Sequence, residues 1–278
     1  MNRPIKISNR LSHGPFRIEL CRISAQNDLM QGAIATAFLW RSASGLYLVT
    51  NWHNVSGWDP IRNAALLQSG FVPNTVRFVL DYIDKADAST TRRKRVVHTV
   101  SLFNDGGQPN WIEHPKFGRL VDVVALRLEI DASAKLLTLP INDYPDFSDV
   151  DPEVGDDAFV LGFPNGLEGG TGFPLWKKAS VASEPDIDLD QLPKLYIDTA
   201  TRSGMSGSPV ILVKRGFVNP RGSTGISGNT ILGTAESLLG VYSGRIADDP
   251  LGSQIGIVWK ARVIDEIIDA QTRGQLPY

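Results

Sequence analysis

The sequence predicts an all-β protein, a barrel or a sandwich, made of two β units and followed by one helix. Its apolar segments are mostly short, rich in β-branched and aromatic residues, and bounded by Gly, Asn, Asp and Pro. This spacing is typical of antiparallel strands rather than of βαβ units. At 278 residues, 42% of them hydrophobic, the chain can bury a substantial core as one large domain or two small ones.

Eight apolar runs carry this pattern, in two groups of four along the chain. The predicted strands are 35–40, 46–50, 76–80 and 123–128 in the first group, and 158–161, 209–213, 238–242 and 255–259 in the second. Between the groups, three prolines among several aspartates interrupt the rhythm and indicate a linker. The predicted division is an N-terminal extension at 1–31, which packs on the β units or docks a partner, a first unit at 32–130, a linker at 131–153 and a second unit at 154–278.

The last apolar segment has a helical pattern instead. Residues 261–270 place four apolar side chains on one stripe of a helix, and Gly274 is the expected stop signal. The four are Val263, Ile264, Ile267 and Ile268.

Charge and cysteine content exclude several function classes. The net charge of -2 gives no electrostatic footprint for nucleic acid or an anionic membrane, and the basic run 92–95 is expected on a solvated hairpin turn. Cys21 is the only cysteine, so no intramolecular disulfide can form. The sequence shows no apolar signal region and no apolar run of about 18 residues. We therefore expect a cytoplasmic protein, and nothing in the sequence requires a metal or a cofactor.

A candidate general base stands at the end of a predicted strand. His53 directly follows the apolar run 46–50, a rigid position that suits a base, although a structural histidine is the alternative. Asp122 stands at the entrance to the run 123–128, where an unpaired carboxylate is costly to bury. It either accepts from backbone amides at a strand edge or orients an imidazole by accepting its Nδ1 proton.

The stretch SGMSGSPV at 203–210 is either an ordinary loop or a nucleophile turn, in which glycines let backbone amides approach a carbonyl. With Ser206 as the nucleophile, the chain order is His53, Asp122, Ser206. An α/β-hydrolase needs its histidine after the serine, and a subtilisin needs its acid before the histidine. The order therefore argues against both of these serine-hydrolase classes.

The contexts of these residues are LVTNWHNV around His53, VDVVALRL around Asp122 and GMSGSPV around Ser206. In this order they resemble motifs of the chymotrypsin-fold (trypsin-like) serine proteases, above all the disulfide-free bacterial branch that includes the HtrA-type enzymes. The likeness spans residues 32–272. It implies two packed six-stranded antiparallel β-barrels with a C-terminal helix.

The resemblance also implies a serine endopeptidase that acts on protein or peptide substrates. It makes Ser206 the nucleophile, His53 the general base and Asp122 the residue that orients the base. The amides of Gly204 and Ser206 become the oxyanion hole. Four residues are implied for the substrate pocket, and they are Ala200, Ser243, Gly244 and Gly256.

The chain departs from the family pattern in several places. Met205 replaces the aspartate that pairs with a freed N-terminal amine in the digestive branch, so activation by that cleavage is not expected. Trp52, next to the candidate base, either crowds the site or packs beneath it. With Ala200 instead of an acid, the pocket is expected to take a small or medium apolar side chain, unless Asp248 or Asp249 reaches it. The tail leaves no room for the PDZ domain of HtrA-type relatives, so regulation is expected from a partner protein, a homo-oligomer or the loops.

Two other functions stay open at this point. The fold could serve as a catalytically silent binding or scaffold module, although the intact His, Asp and Ser set argues against it. A non-protease hydrolase on another fold is disfavoured by the chain order. Cys21 as a nucleophile is disfavoured because its context, 18–23, is predicted to be a strand.

Overall fold

The computed structural model describes residues 7–67, 69–85, 91–131, 134–223, 225–245 and 254–276. Two antiparallel β units follow each other in this part of the chain, and each has its own apolar core. The strands of the first unit are β1 (Pro15–Ile23), β2 (Leu29–Ser42), β3 (Gly45–Thr50), β4 (Trp58–Asp59), β5 (Ala64–Ala65), β6 (Thr75–Lys85), β7 (Thr91–Ser101), β8 (Trp111–Glu113) and β9 (Val124–Leu128). Those of the second are β10 (Asp157–Gly162), β11 (Leu175–Val181), β12 (Lys194–Asp198), β13 (Pro209–Val218), β14 (Ile231–Arg245) and β15 (Ile255–Lys260). The helices are α1 (Trp52–Ser56) and α2 (Arg262–Ala270).

The all-β class with a C-terminal helix is confirmed. The second unit is a closed six-stranded barrel in the order β10-β11-β12-β15-β14-β13. The first unit is a seven-stranded sheet in the order β7-β6-β1-β2-β3-β9-β8, beside the small ribbon β4-β5. The prediction has six strands in this unit, and the additional β8 is only three residues long, too short to show a period of two in the sequence.

Residues 15–31 differ from the predicted N-terminal extension. Strand β1 lies inside the first sheet, between β2 and β6, and β2 already begins at Leu29. Phe16, Ile18 and Leu20 alternate with Arg17 and Glu19, and the three apolar side chains are buried. The first unit therefore begins before the boundary expected at residues 31 and 32.

The basic run also differs from its prediction. Residues 92–95 lie within β7 and pair with β6, not on a turn. Arg93 and Arg95 both form ion pairs with Asp81 on β6. Alternate side chains of a strand share a face, so Arg93 and Arg95 meet Asp81 on one face of the strand pair.

A third apolar cluster joins the two units. In β2 and β3, Leu39 and Leu48 belong to the core of the first unit, while Phe38 and Val49 belong to the shared cluster. All four predicted stripe residues of α2 are buried in the shared cluster, together with Ile141 from the connection between β9 and β10. Because successive side chains of a strand point to opposite faces, β2 and β3 contribute side chains to two cores at once.

Helix α2 ends before the glycine that was expected to stop it. Its C-cap is Gln271, which has left-handed backbone angles. Gly274 lies farther on, against the Trp111 ring, whose Nε1 would be 2.1 Å from an added Cβ. Close packing explains this glycine better than a stop signal does.

The helices in the described ranges are too short or too polar to span a membrane.

Candidate active site

His53 lies in α1, directly after β3, as its place in the sequence predicts. The neighbouring Trp52 is completely buried in the core of the first unit, so this bulky side chain packs beneath the site and does not crowd it. The His53 side chain is 14% exposed and faces cavities that are lined by both units.

Asp122 holds both the ring and the backbone of His53. Nδ1 of His53 lies 2.6 Å from Oδ2 of Asp122, and the backbone amide of His53 donates to Oδ1 over 2.9 Å. An ionised carboxylate only accepts hydrogen bonds, so Nδ1 carries the proton and Nε2 is left to accept one. The side-chain amide of Asn51 donates to the backbone carbonyl of Asp122 over 2.6 Å, which fixes this stretch from a second direction.

The electrostatic surroundings favour the protonated form of His53. Burial alone would lower the pKa of the imidazole, but the charge of Asp122 and its hydrogen bond act in the opposite direction, and Asp59 adds a smaller contribution. The net result is a pKa of His53 above its ordinary value of 6.5. The ring therefore binds a proton more strongly than a free histidine does, which suits a general base.

A serine of the second unit completes the surroundings of Asp122. Ser243 on β14 donates its hydroxyl to Oδ2 of Asp122 over 2.5 Å. The carboxylate thus accepts two hydrogen bonds from His53 and one from Ser243, although its side chain is only 6% exposed. The sequence predicts only a pocket-lining role for Ser243. The contact with Asp122 spans 121 residues, so no local pattern marks it.

Ser206 lies in a turn that requires glycine at two positions. Gly204 and Gly207 have φ angles of +92° and +86°, which residues with a Cβ rarely adopt. An added Cβ would lie 2.4 Å from the carbonyl oxygen of Phe163 at Gly204, and 2.1 Å from that of Thr36 at Gly207. The turn therefore packs closely against both β units.

Met205, between the two glycines, anchors this turn. Its side chain is completely buried in the core of the second barrel. The anchor of the turn is thus an apolar contact rather than an ion pair.

The backbone amides of the turn are available for a ligand. The carbonyl of Ser203 accepts a hydrogen bond from the amide of Asn165 over 2.6 Å. Because a trans peptide unit points its C=O and N–H in opposite directions, the Gly204 N–H points away from Asn165. In the part of the chain that the structure describes, the amides of Gly204 and Ser206 donate to no protein acceptor. The turn that carries Ser206 therefore has two backbone donors without a protein acceptor among the described residues.

Two cavities meet at His53. The serine-side cavity, of about 360 Å³, is bordered by His53 and Ser206 together with apolar residues of β2 and of the chain after β5. The aspartate-side cavity, of about 290 Å³, is bordered by His53, Asp122 and Ser243. His53 thus contacts Asp122 directly and borders one cavity together with Ser206, so that residues of both β units meet here.

Of the remaining predicted pocket residues, Gly256 lies against an aromatic side chain. Gly244 lines the aspartate-side cavity. Gly256 is buried, and an added Cβ there would lie 2.6 Å from Cε2 of Tyr242. The hydroxyl of Tyr242 is hydrogen-bonded to Thr201, the neighbour of Ala200. The Tyr242 ring therefore fills space next to Gly256, one of the predicted pocket positions.

The side chains that could hold a metal ion, and the one thiol, are placed as follows. Among the described residues, no group of three or more His, Cys, Asp or Glu side chains is placed to hold a metal ion. Cys21 is buried in β1, and burial raises the pKa of its thiol, which disfavours the reactive thiolate. Asp248 and Asp249, considered above as pocket residues, lie outside the described residues.

Comparison with known families identifies the region that carries this site. A family model described as a trypsin-like peptidase domain matches residues 35–218, which is more than half of the chain. The match includes His53, Asp122 and Ser206, whereas Ser243 lies beyond it. No curated protein matches the chain.

Proposed function

Because the chain belongs to the family of trypsin-like peptidase domains, we propose that it is a serine endopeptidase with His53, Asp122 and Ser206 as its catalytic residues. Family membership supports a protease-type function. The observation that carries the finer proposal is the hydrogen-bonded pair of His53 and Asp122 beside a cavity that Ser206 also borders. The lone, buried Cys21 and the three sequence motifs support a place in the disulfide-free branch similar to the HtrA-type enzymes.

The proposed reaction begins with attack of the Ser206 hydroxyl oxygen on the carbonyl carbon of a peptide bond. Nε2 of His53 accepts the hydroxyl proton and then gives it to the leaving amine as the C–N bond breaks. The acyl group remains as an ester on Ser206 until water, activated in the same way, releases it. Asp122 keeps the proton on Nδ1 and stabilises the imidazolium that forms during both steps.

The amides of Gly204 and Ser206 are proposed to stabilise the negative oxygen of the tetrahedral intermediate. Such donors act strongly because they are already oriented before the charge develops. Removal of one donor of this kind typically lowers the rate by about 10² to 10³. The hydrogen bond between Asn165 and Ser203 supports this role, since it holds the Ser203–Gly204 peptide in one orientation.

The residue on the acyl side of the scissile bond is proposed to be small or medium-sized and apolar. Ala200 brings no charge to the pocket, and the Tyr242 ring takes up space beside Gly256. A long Lys or Arg side chain would meet this ring and would find no acidic partner in Ala200 or Gly256 themselves.

Labelling with a fluorophosphonate probe tests the proposal, because the probe phosphonylates an activated serine. We expect labelling of the wild type and none of Ser206→Ala. Ser208→Ala is the matched control, since its buried hydroxyl has no hydrogen-bond partner among the described residues and its loss should leave labelling intact. Labelling of Ser206→Ala would contradict the assignment, and a folded wild type that does not react would favour a silent binding module.

A further inference from the structure

We propose that the serine-side cavity is an apolar subsite that selects the residue directly after the scissile bond, on the leaving-group side. This inference rests on the proposed function. It assigns a substrate preference that the triad itself does not determine.

The positions of the two cavities relative to His53 indicate which side each serves. The aspartate-side cavity contains Ser243 and Gly244 of β14, two of the residues that the resemblance assigns to the substrate pocket on the acyl side. The acyl carbon must lie at Ser206, and the amine must leave toward His53, which protonates it. The serine-side cavity borders His53 and the Ser206 turn but contains neither Ser243 nor Gly244, so it is the cavity left for the chain that departs with the amine.

Most of the described side chains that line the serine-side cavity are apolar, and none of them is an Asp, Glu, Lys or Arg. Beyond His53 and the Ser206 turn, its walls are made chiefly by Ala33, Ile34, Leu66, Leu67, Phe71 and Pro73. The aspartate-side cavity differs, because Asp59 and Lys194 both reach it. A charged side chain in the serine-side cavity would lose hydration without gaining a partner, whereas an apolar one would be removed from water.

The walls of this cavity are tied to the element that carries His53. Gly57, which caps α1, accepts a hydrogen bond from the Leu66 amide over 2.9 Å. The Phe71 ring lies on Gly32 of β2 so closely that an added Cβ would be 2.1 Å from the ring. The subsite is therefore built before a substrate arrives, which reduces the entropy lost on binding.

Partly exposed apolar side chains extend the apolar part of the lining to the rim of the serine-side cavity. Leu66 and Leu67 are 44% and 36% exposed, and Leu67 also borders an open cavity that runs on past Gln31 and Gly166. Partly exposed leucines beside a catalytic cavity gain from being covered by another apolar group. The occupant that fits is an apolar substrate side chain, such as that of Leu or Phe.

Acyl transfer to added amines measures this preference directly. The full chain is incubated with an N-acetyl-alanine ester, whose alcohol leaves as the acyl group bonds to Ser206. Leucinamide, glycinamide, lysinamide or aspartic acid α-amide then competes with water. Its amine nitrogen forms the new amide bond, His53 takes the amine proton, and the Ser206 oxygen leaves and is reprotonated. Chromatography gives the ratio of aminolysis to hydrolysis.

We expect leucinamide to capture the acyl group about tenfold better than glycinamide or either charged amide, in line with the discrimination that apolar pockets reach. Leu67→Glu should remove most of this advantage and raise capture by lysinamide. Leu232→Glu, at a more exposed leucine on β14, should change neither ratio.

Each outcome separates the two proposals. If the ester is turned over but leucinamide has no advantage, or if Leu67→Glu leaves the ratios unchanged, the apolar subsite is wrong while the peptidase assignment stands. If no acyl-enzyme forms on a folded wild type, the proposed function fails and the subsite fails with it.

Discussion

Thr36 on β2 donates its hydroxyl hydrogen to the carbonyl oxygen of Gly204 over 2.8 Å, across the boundary between the two β units. Its backbone amide donates to the carbonyl of Ser206 over 2.9 Å. One buried residue of the first unit thus donates hydrogen bonds to the carbonyls of both residues that flank Met205. The first unit therefore contributes to the shape of the turn in addition to supplying His53 and Asp122.

Replacement of this hydroxyl should disturb the turn. In Thr36→Val the Gly204 carbonyl is left buried without its partner, at a cost of about 1–3 kcal/mol. We expect kcat/KM to fall about tenfold or more, and Thr36→Ser to restore most of it. Steady-state kinetics with an ester substrate, together with Tm values, would check this. Equal kcat/KM for Thr36→Val and the wild type would show that the contact does not position the turn.

Two glycines with similar backbone angles should respond differently to alanine. At Gly204 an added Cβ clashes with the carbonyl of Phe163, so Gly204→Ala should move the proposed oxyanion donor and lower kcat/KM by about 10² to 10³. At Gly216 the φ angle is +98°, and nothing lies within 4 Å of an added Cβ. Gly216→Ala should therefore lower Tm slightly and leave kcat/KM unchanged. A comparable loss of activity in both variants would point to backbone strain alone.

The acidic limb of the pH profile should lie above the ordinary histidine range. As the proposed base, His53 acts only when neutral, and its raised pKa means that kcat/KM should be lost at a higher pH on acidification than an unperturbed pKa of 6.5 would give. Asp59→Asn removes a charge that raises this pKa, so the inflection should move to lower pH. Asp105→Asn, at an exposed position, is the control. An inflection that stays in place in Asp59→Asn would contradict the electrostatic account.

A smaller residue at position 242 should enlarge the acyl-side pocket. Tyr242→Val removes the ring beside Gly256, and we expect a shift in preference from Ala toward Leu or Phe in a peptide library. The loss of a buried aromatic ring also destabilises the fold, by roughly 3 kcal/mol. Tyr47→Val, at a buried tyrosine of the first unit, should destabilise similarly without altering the preference. An unchanged preference in Tyr242→Val would remove the support that this ring gives to the proposed specificity.

The strands can be predicted because the sequence pattern that marks each of them is local. A run such as 46–50 shows its apolar pattern within five residues, and the stripe of α2 is equally compact. The sequence motifs around His53, Asp122 and Ser206 can likewise be recognised from neighbouring residues alone. These features need only the preferences of neighbouring residues.

The features that the sequence did not reveal depend on distant partners. Ser243 and Asp122 are 121 positions apart, and Thr36 and Gly204 are 168 apart. Residues 18–23 are predicted to be a strand, but no local pattern shows that this strand lies between β2 and β6 inside the first sheet. The burial of Met205 is also not predictable from the sequence. A single apolar residue in a Gly/Ser-rich stretch shows no periodicity that would indicate which way its side chain points.

The burial of Met205 has a consequence for the populations of active and inactive molecules. If the turn around Ser206 left its position, the Met205 side chain would have to leave the barrel core, at a cost of about 1.5–3 kcal/mol. We call this the released state of the turn. At equilibrium, that cost alone keeps fewer than about one molecule in ten in a released state. A signal that silences this protein through the turn must therefore supply comparable free energy, and a ligand can do so only by binding the released form more tightly.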